Sequence, residues 1–362
     1  MTSRERHVPN KSILVACAAF VIAACATPAP EIATPTPTSI GLPATSTPSP
    51  PTPTPSPTPE PTATPVPRLE IILERGNLIC GIDPERPELA GFESDYCHAV
   101  AAALFDNPDA VEIRPLNREE AEAALRAGEI DVYLGSLDSL RPDVTEGQIL
   151  FYEAAGAMTR NDVGISQIAD MKYATICLIQ DSIDERVFGE AATAARVTYQ
   201  PLLFNAGDYD GMYKAYDEGR CDVVVDDRVR LAQRLPTLSV PRDHELIDIT
   251  LITGQRGPIV WAGDSSWPGV NLVIGSAIIQ AEELDIASGN LDAAMSSDRD
   301  AIRRLLGLEG SVWADLGLTQ DVLVRILTHV GNYGEMYSRN FPDLPRGPNA
   351  LAKDGGRIAA VP

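Results

Sequence analysis

Four cysteines lie in the longer, C-terminal part of the chain: Cys80, Cys97, Cys177 and Cys221. There is no CxxC pair, and His7, His98, His244 and His329 are scattered, so the set lacks the spacing of a zinc site. In an exported protein an even number of cysteines reads as a disulfide framework. Four cysteines allow three connectivities, and Cys80 with Cys97 plus Cys177 with Cys221 keeps each bridge inside one structural unit. The sequence has no nucleophile–base pair, no cluster of metal ligands and no phosphate-binding loop, so no catalytic residue, metal or cofactor is expected. It does carry charge at the end of an apolar run. Asp226 and Asp227 follow Val223-Val224-Val225, with Arg228 and Arg230 just behind. Such carboxylates either meet a cationic group or pair with those arginines on a solvated turn.

The other two cysteines sit near the N-terminus. Arg4, Arg6 and Lys11 precede an apolar run from Ile13 to Ala24, which is short for a permanent membrane span and reads as a signal peptide over 1–24. Cys17 leaves with it. The run ends Ile22-Ala23-Ala24-Cys25, which resembles a bacterial lipobox, so Cys25 is expected to carry lipid and to anchor the protein outside the cytoplasm, on the outer face of the membrane. Half of the 30 prolines fall between Thr27 and Pro67. A segment of Pro, Thr, Ser and Ala has no apolar face to bury and favours polyproline II, so 25–67 reads as a lipidated tether.

The whole chain has 362 residues, with 29 Lys+Arg against 51 Asp+Glu and a formal net charge of -22. That balance argues against a nucleic-acid partner, because nothing in it would neutralise an extended phosphate backbone. After Pro67 strands and helices alternate. Strands are expected at Leu78–Ile82, Val111–Leu116 and Ile130–Leu134, with helices at Tyr96–Phe105 and Arg118–Ala127, the latter closed by Gly128. A second set follows: strands Ala174–Ile179, Thr198–Phe204 and Cys221–Val225, and helices Asp184–Ala195, Tyr209–Asp217 and Arg228–Leu235. More helical material begins near Ile274. The alternation implies an α/β fold of two units, with ligands favouring the crevice at the carboxyl ends of the strands.

Several ordered blocks carry a resemblance. Gly91 to Phe105 (GFESDYCHAVAAALF), Ala127-Gly128-Glu129-Ile130-Asp131-Val132, Tyr216 to Val223 (YDEGRCDV), Gln280 to Leu284 and Val330-Gly331-Asn332-Tyr333-Gly334-Glu335 resemble the extracytoplasmic solute-binding proteins of amino-acid ABC transporters, in their general L-amino-acid branch. The resemblance extends over about 69–361, and the four cysteines fall where that branch has its own. It implies a type II periplasmic-binding-protein fold with two lobes, two hinge strands and a ligand cleft between the lobes. Lobe 1 would be 68–161 plus 256–362, lobe 2 would be 162–255, and the hinges would lie near Met158–Asp162 and Gly254–Ile259. A membrane permease with a cytoplasmic ATPase would be the partner, and the binding protein would act as a monomer.

An amino-acid site needs a carboxylate for the α-ammonium and a cation with N–H donors for the α-carboxylate, because a desolvated zwitterion must have both charges met. The resemblance places the ammonium-binding carboxylate at Asp227, with Asp226 as its neighbour, and the carboxylate-binding guanidinium at Arg141 in a loop about two residues short. The family's Gly-Thr-Thr turn appears here as Gln180-Asp181-Ser182, where only Ser182 keeps a hydroxyl. Tyr152, Asp95 and Asp138 complete the expected ligand-contacting set. Near the first hinge Ala155 and Ala157 replace larger polar and aromatic residues. With the extra carboxylates Asp181, Asp184 and Asp226, these departures favour a cationic amino acid or an amine. Two other functions are open to the same fold: a sensing lipoprotein with a degenerate site, and a dehydratase-like enzyme using Glu153 or Asp138 as general acid.

Overall fold

The computed structural model describes residues 66–264 and 266–361. The expected signal peptide, the lipidated Cys25 and nearly all of the tether lie outside them. Helix α1 (Arg68–Arg75) leads into β1 (Leu78–Ile82), α2 (Ala90–Phe105), β2 (Val111–Pro115), α3 (Arg118–Ala127), β3 (Val132–Ser136), β4 (Val144–Glu146) and the long β5 (Phe151–Arg160). Then come β6 (Thr175–Ile179), α4 (Ile183–Ala194), β7 (Gln200–Phe204), α5 (Tyr209–Asp217), β8 (Val223–Asp227), α6 (Arg228–Arg234), the 18-residue β9 (His244–Trp261) and α7 (Trp267–Glu283). Five shorter helices close the described chain.

The strands run in the order β2-β1-β3-β9-β5-β8-β6-β7, with β4 paired to β9. Within each half the pairing is parallel: β1 with β2 and β3, and β6 with β7 and β8. In the sheet the two halves are joined through antiparallel β9 and β5, which pair from Phe151↔Arg256 to Arg160↔His244. This is the two-lobed type II binding-protein fold, a mixed α/β architecture with a cleft between its halves. Pairing of β5 with β8 already begins at Ala155↔Asp227, ahead of the expected hinge at Met158–Asp162, and the β5–β9 register shifts between Glu153 and Ala154. That register shift falls next to Glu153, a buried carboxylate in β5.

Local chemistry explains the elements. In α3, Asn117 accepts the Glu120 N–H at 3.0 Å while the Glu120 side chain accepts the Asn117 N–H, and Gly128 ends the helix at φ 71°, a conformation that a Cβ disfavours. The C-terminal turns of helix α2 are apolar all round, with Ala99 to Ala103 buried, as expected for an internal segment. Both disulfides form as expected, Cys80–Cys97 with Cα atoms 6.1 Å apart and Cys177–Cys221 with Cα atoms 5.8 Å apart. The first ties α2 to β1. The second ties β6 to the turn before β8.

Helix α7 starts seven residues before the expected onset, with Pro268 in its first turn, where a missing N–H costs nothing. Trp267 and Trp313 are core residues, and Trp261 is half-exposed at the end of β9.

Candidate functional site

The C-terminal ends of β1 and β8 face each other across the β5–β9 crossover, and charged side chains from all four meet there. The loop after β1 carries Arg86, bracketed by Pro84 and Pro87, and Glu88 just beyond. Arg86 donates to Glu88 at 2.7 Å, pairs with Glu153 of β5, and brings its Nη2 to 3.1 Å from the Asp227 carboxylate at the end of β8. Arg230, on the first turn of α6, reaches back to Glu88 at 3.0 Å and holds Asp226 at 2.5 Å. Each half thus places an arginine among the carboxylates of the other.

Asp227 is almost fully buried and caps α6, accepting the N–H groups of Val229 at 2.9 Å and Arg230 at 3.3 Å. Asp226 accepts the Tyr213 hydroxyl at 2.9 Å, and burial still pushes its carboxyl up to about 6. On the first turn of α4, Asp184 is pushed up to about 7 by burial and by the charges of Asp226 and Asp227. Among the described residues no Lys or Arg reaches it within ion-pair distance, and Arg230 and Arg86 offset its burial only from further away. Behind the crossover Arg256 binds Glu93 at 2.8 Å and Asp83 at 3.0 Å and comes within 3.6 Å of Glu153. Burial pushes Glu93 up to about 7 and raises Glu153 despite these arginines. Burial alone would lower the Arg86 pKa, but Asp227, Glu153 and Glu88 together outweigh it, so Arg86 stays charged. Seven carboxyl groups here meet three guanidinium groups, a surplus that burial holds partly in the neutral form.

Not all the expected ligand contacts converge on this cluster. Arg141 sends its Nε to Glu122 of α3 at 2.9 Å, with its side chain 56% exposed, so the short loop turns it onto its own half rather than into the cleft. Asp95 faces the C-terminal helices, where it accepts from Arg339 at 2.9 Å and Asn340 at 2.6 Å. The structure places both away from the charged cluster, within the first half. Ser182 caps α4 through the Glu185 N–H at 3.1 Å and lines an open pocket of about 420 Å3 with Gln180, Asp181, Asn205 and Tyr209. Tyr152 is clamped through its backbone by the Asn349 amide, at 2.6 Å and 3.0 Å. Asp138 is exposed, accepts from Ser136 at 3.3 Å, and lies beside Gly254 and Glu153 at the crossover.

Of the arginines that enter the cleft, Arg230 was one of the two weighed as partners of Asp226 and Asp227, whereas Arg86 was not expected there. One signal was available: Arg86 follows a strand's carboxyl end, the position that ligands favour in α/β sheets.

Comparison with known proteins places this geometry. The chain is 32% identical over 285 residues to the general L-amino acid-binding periplasmic protein AapJ of Rhizobium johnstonii, covering 75% of this chain and 83% of that one. It is 32% identical over 314 residues to the glutamate/glutamine/aspartate/asparagine-binding protein BztA of Rhodobacter capsulatus, covering 81% and 92%. Among solved structures, an ABC transporter periplasmic binding protein from Brucella ovis with glutathione bound superposes with TM-score 0.64 at 30% identity, covering 82% of this chain and 99% of that one. No family model matches.

Proposed function

The chain belongs to the periplasmic amino-acid-binding proteins of ABC transporters, and from that membership we propose that its cleft takes up a solute bearing a cationic group, a basic amino acid or an amine, for delivery to a membrane permease. The observation that carries the reading is the surplus of carboxylates around Asp227, with Asp184 beside it out of ion-pair reach of any Lys or Arg among the described residues. A buried carboxylate without a cation is costly, and a ligand ammonium or guanidinium removes that cost on binding. Asp227 receives the ligand's cation, with Asp226 and Asp184 flanking it. Ser182, on the rim pocket, contacts the ligand's far end, and Tyr152 and Asp138 line the crossover side.

The relatives bind general L-amino acids and the acidic and amide amino acids, and the Brucella protein holds glutathione, so a ligand with an α-ammonium is common to all three. What separates this chain is the charge around that ammonium. Closure is a hinge motion about β5 and β9, turning at Glu153–Ala155 and Ile252–Gly254 where the register shifts. A lipid on Cys25 and the Pro/Thr tether would hold the lobes near the permease. Titration calorimetry of the purified protein with arginine, lysine, agmatine and putrescine against glutamate and glutamine tests the reading.

A second reading, a sensing lipoprotein, is favoured by one observation: Gln180-Asp181-Ser182 replaces a carboxylate-binding turn, and Asp181 sits at φ 59° on the pocket rim. An adjacent permease that shows no ligand uptake dependent on this protein would decide for it.

A further inference from the structure

We propose that Arg86 is an internal occupant of the cation position, a guanidinium that fills the space between Glu153 and Asp227 when no ligand is bound and that an incoming cation must displace. This rests on the reading of the cleft as the ligand site. Arg86 belongs to the first half, Asp227 to the second and Glu153 to the crossover between them, so this one side chain joins three parts of the fold that a hinge motion would separate. Its reach is set locally. Pro84 and Pro87 restrict the loop, and the Pro87–Leu89 turn places Glu88 where it accepts from Arg86 at 2.7 Å and from Arg230 at 3.0 Å. The planar fork of Arg86 spreads over three carboxylates, as a guanidinium ligand would, and a lysine could not reproduce it.

Two consequences follow. The ligand-free protein rests closed, held by Arg86 to Asp227 and Arg230 to Glu88. Ligand affinity is reduced by the contacts that Arg86 must give up, and the cleft discriminates in favour of ligands whose cation replaces a guanidinium: arginine or agmatine over neutral amino acids.

The test compares Arg86→Ala with wild type in the full chain. Small-angle scattering without ligand is expected to show a larger radius of gyration for Arg86→Ala. Ethylguanidinium, a probe shaped like the missing group, should reverse that expansion and raise the variant's melting temperature while leaving wild type unmoved, since it fits only the vacated position. Agmatine should bind the variant about tenfold or more tightly than wild type, a change of about 1.4 kcal/mol. If Arg86→Ala fails to fold, Glu88→Gln, which removes a partner of both arginines, should expand the ligand-free protein in the same way. Equal radii of gyration for variant and wild type, or an equal response of both to ethylguanidinium, would overturn the proposal. If wild type binds basic solutes and Arg86→Ala alters neither closure nor affinity, the proposal fails and the binding function stands. If no amino acid or amine binds either protein yet the variant expands and ethylguanidinium closes it, Arg86 is the occupant and the assigned solute is wrong.

Discussion

Arg86 and Asp227 stand 3.1 Å apart across the cleft although 141 positions separate them in sequence, one on the loop after β1 and the other at the end of β8. That contact defines the site better than any one motif does. It marks the point where the two halves of the sheet converge, and it shows that the carboxylate assigned to the ligand's cation already lies in cationic company. On the proposed function, charge complementarity at this point would set which solutes are admitted.

Asp227→Asn removes the charge and keeps the shape. Binding of a basic ligand should weaken by about 10- to 100-fold, the cost of one charge-assisted hydrogen bond of about 1.5–3 kcal/mol. Stability should change less, because the Asn side-chain oxygen still caps α6. Titration calorimetry beside thermal unfolding separates the two effects, and unchanged affinity would remove Asp227 from the site.

Arg141→Ala and Asp95→Ala serve as controls. Both residues pair within the first half, so ligand affinity should stay within about twofold in each variant, since exposed ion pairs contribute up to about 1 kcal/mol to stability and nothing to a cleft they do not line. A large loss of binding in Arg141→Ala would restore it as the carboxylate-binding residue.

The acidity of the cleft predicts a pH dependence of definite sign. Asp184, near 7, and Asp226, near 6, lie above the ordinary carboxyl value of about 4, so the folded protein favours their neutral forms. Their stabilisation is full below about pH 4 and is lost as pH rises through 6 and 7. Glu88, which Arg86 and Arg230 lower against its burial, has the opposite sign but titrates below that window. The melting temperature of ligand-free protein should therefore fall between pH 5 and pH 8, with a shallower fall in Asp184→Asn. A cationic ligand reverses the preference. Its binding should release protons near pH 6–7 and strengthen from pH 5 to pH 8, measured by calorimetry in buffers of differing ionisation enthalpy. A flat profile would contradict the burial of Asp184 among like charges.

The two disulfides differ in the loop they close, 44 residues for Cys177–Cys221 and 17 for Cys80–Cys97. On the chain-entropy account, Cys177→Ala with Cys221→Ala should cost about 4 kcal/mol and the other pair about 3 kcal/mol in denaturant unfolding. Equal costs would point to native-state contributions instead.

Much of this fold was legible. Runs such as Leu78–Ile82 and the Gly128 stop specify their elements locally, and several ordered blocks together, Gly91 to Phe105 among them, carried the family resemblance. The strand β9 was not: Gly254, Gly257 and Pro258 interrupt its pattern, and pairing with β5, β3 and β4 in turn makes it continuous. The site was harder still. Which arginine meets which carboxylate depends on contacts 67 and 141 residues apart for Arg86, with Glu153 and Asp227, and no local pattern encodes them. Arg141 had the right chemistry and roughly the right position along the chain, but a loop that turns it toward Glu122 decides its partner.

The most direct test of the central claim is calorimetric titration of the protein, unfolded and refolded to strip any bound solute, with arginine, lysine and agmatine in parallel with glutamate and glutamine. Saturable binding of at least one cationic solute, weaker or absent for glutamate and abolished in Asp227→Ala, is the predicted result. Binding of glutamate in preference to every cationic solute would contradict it.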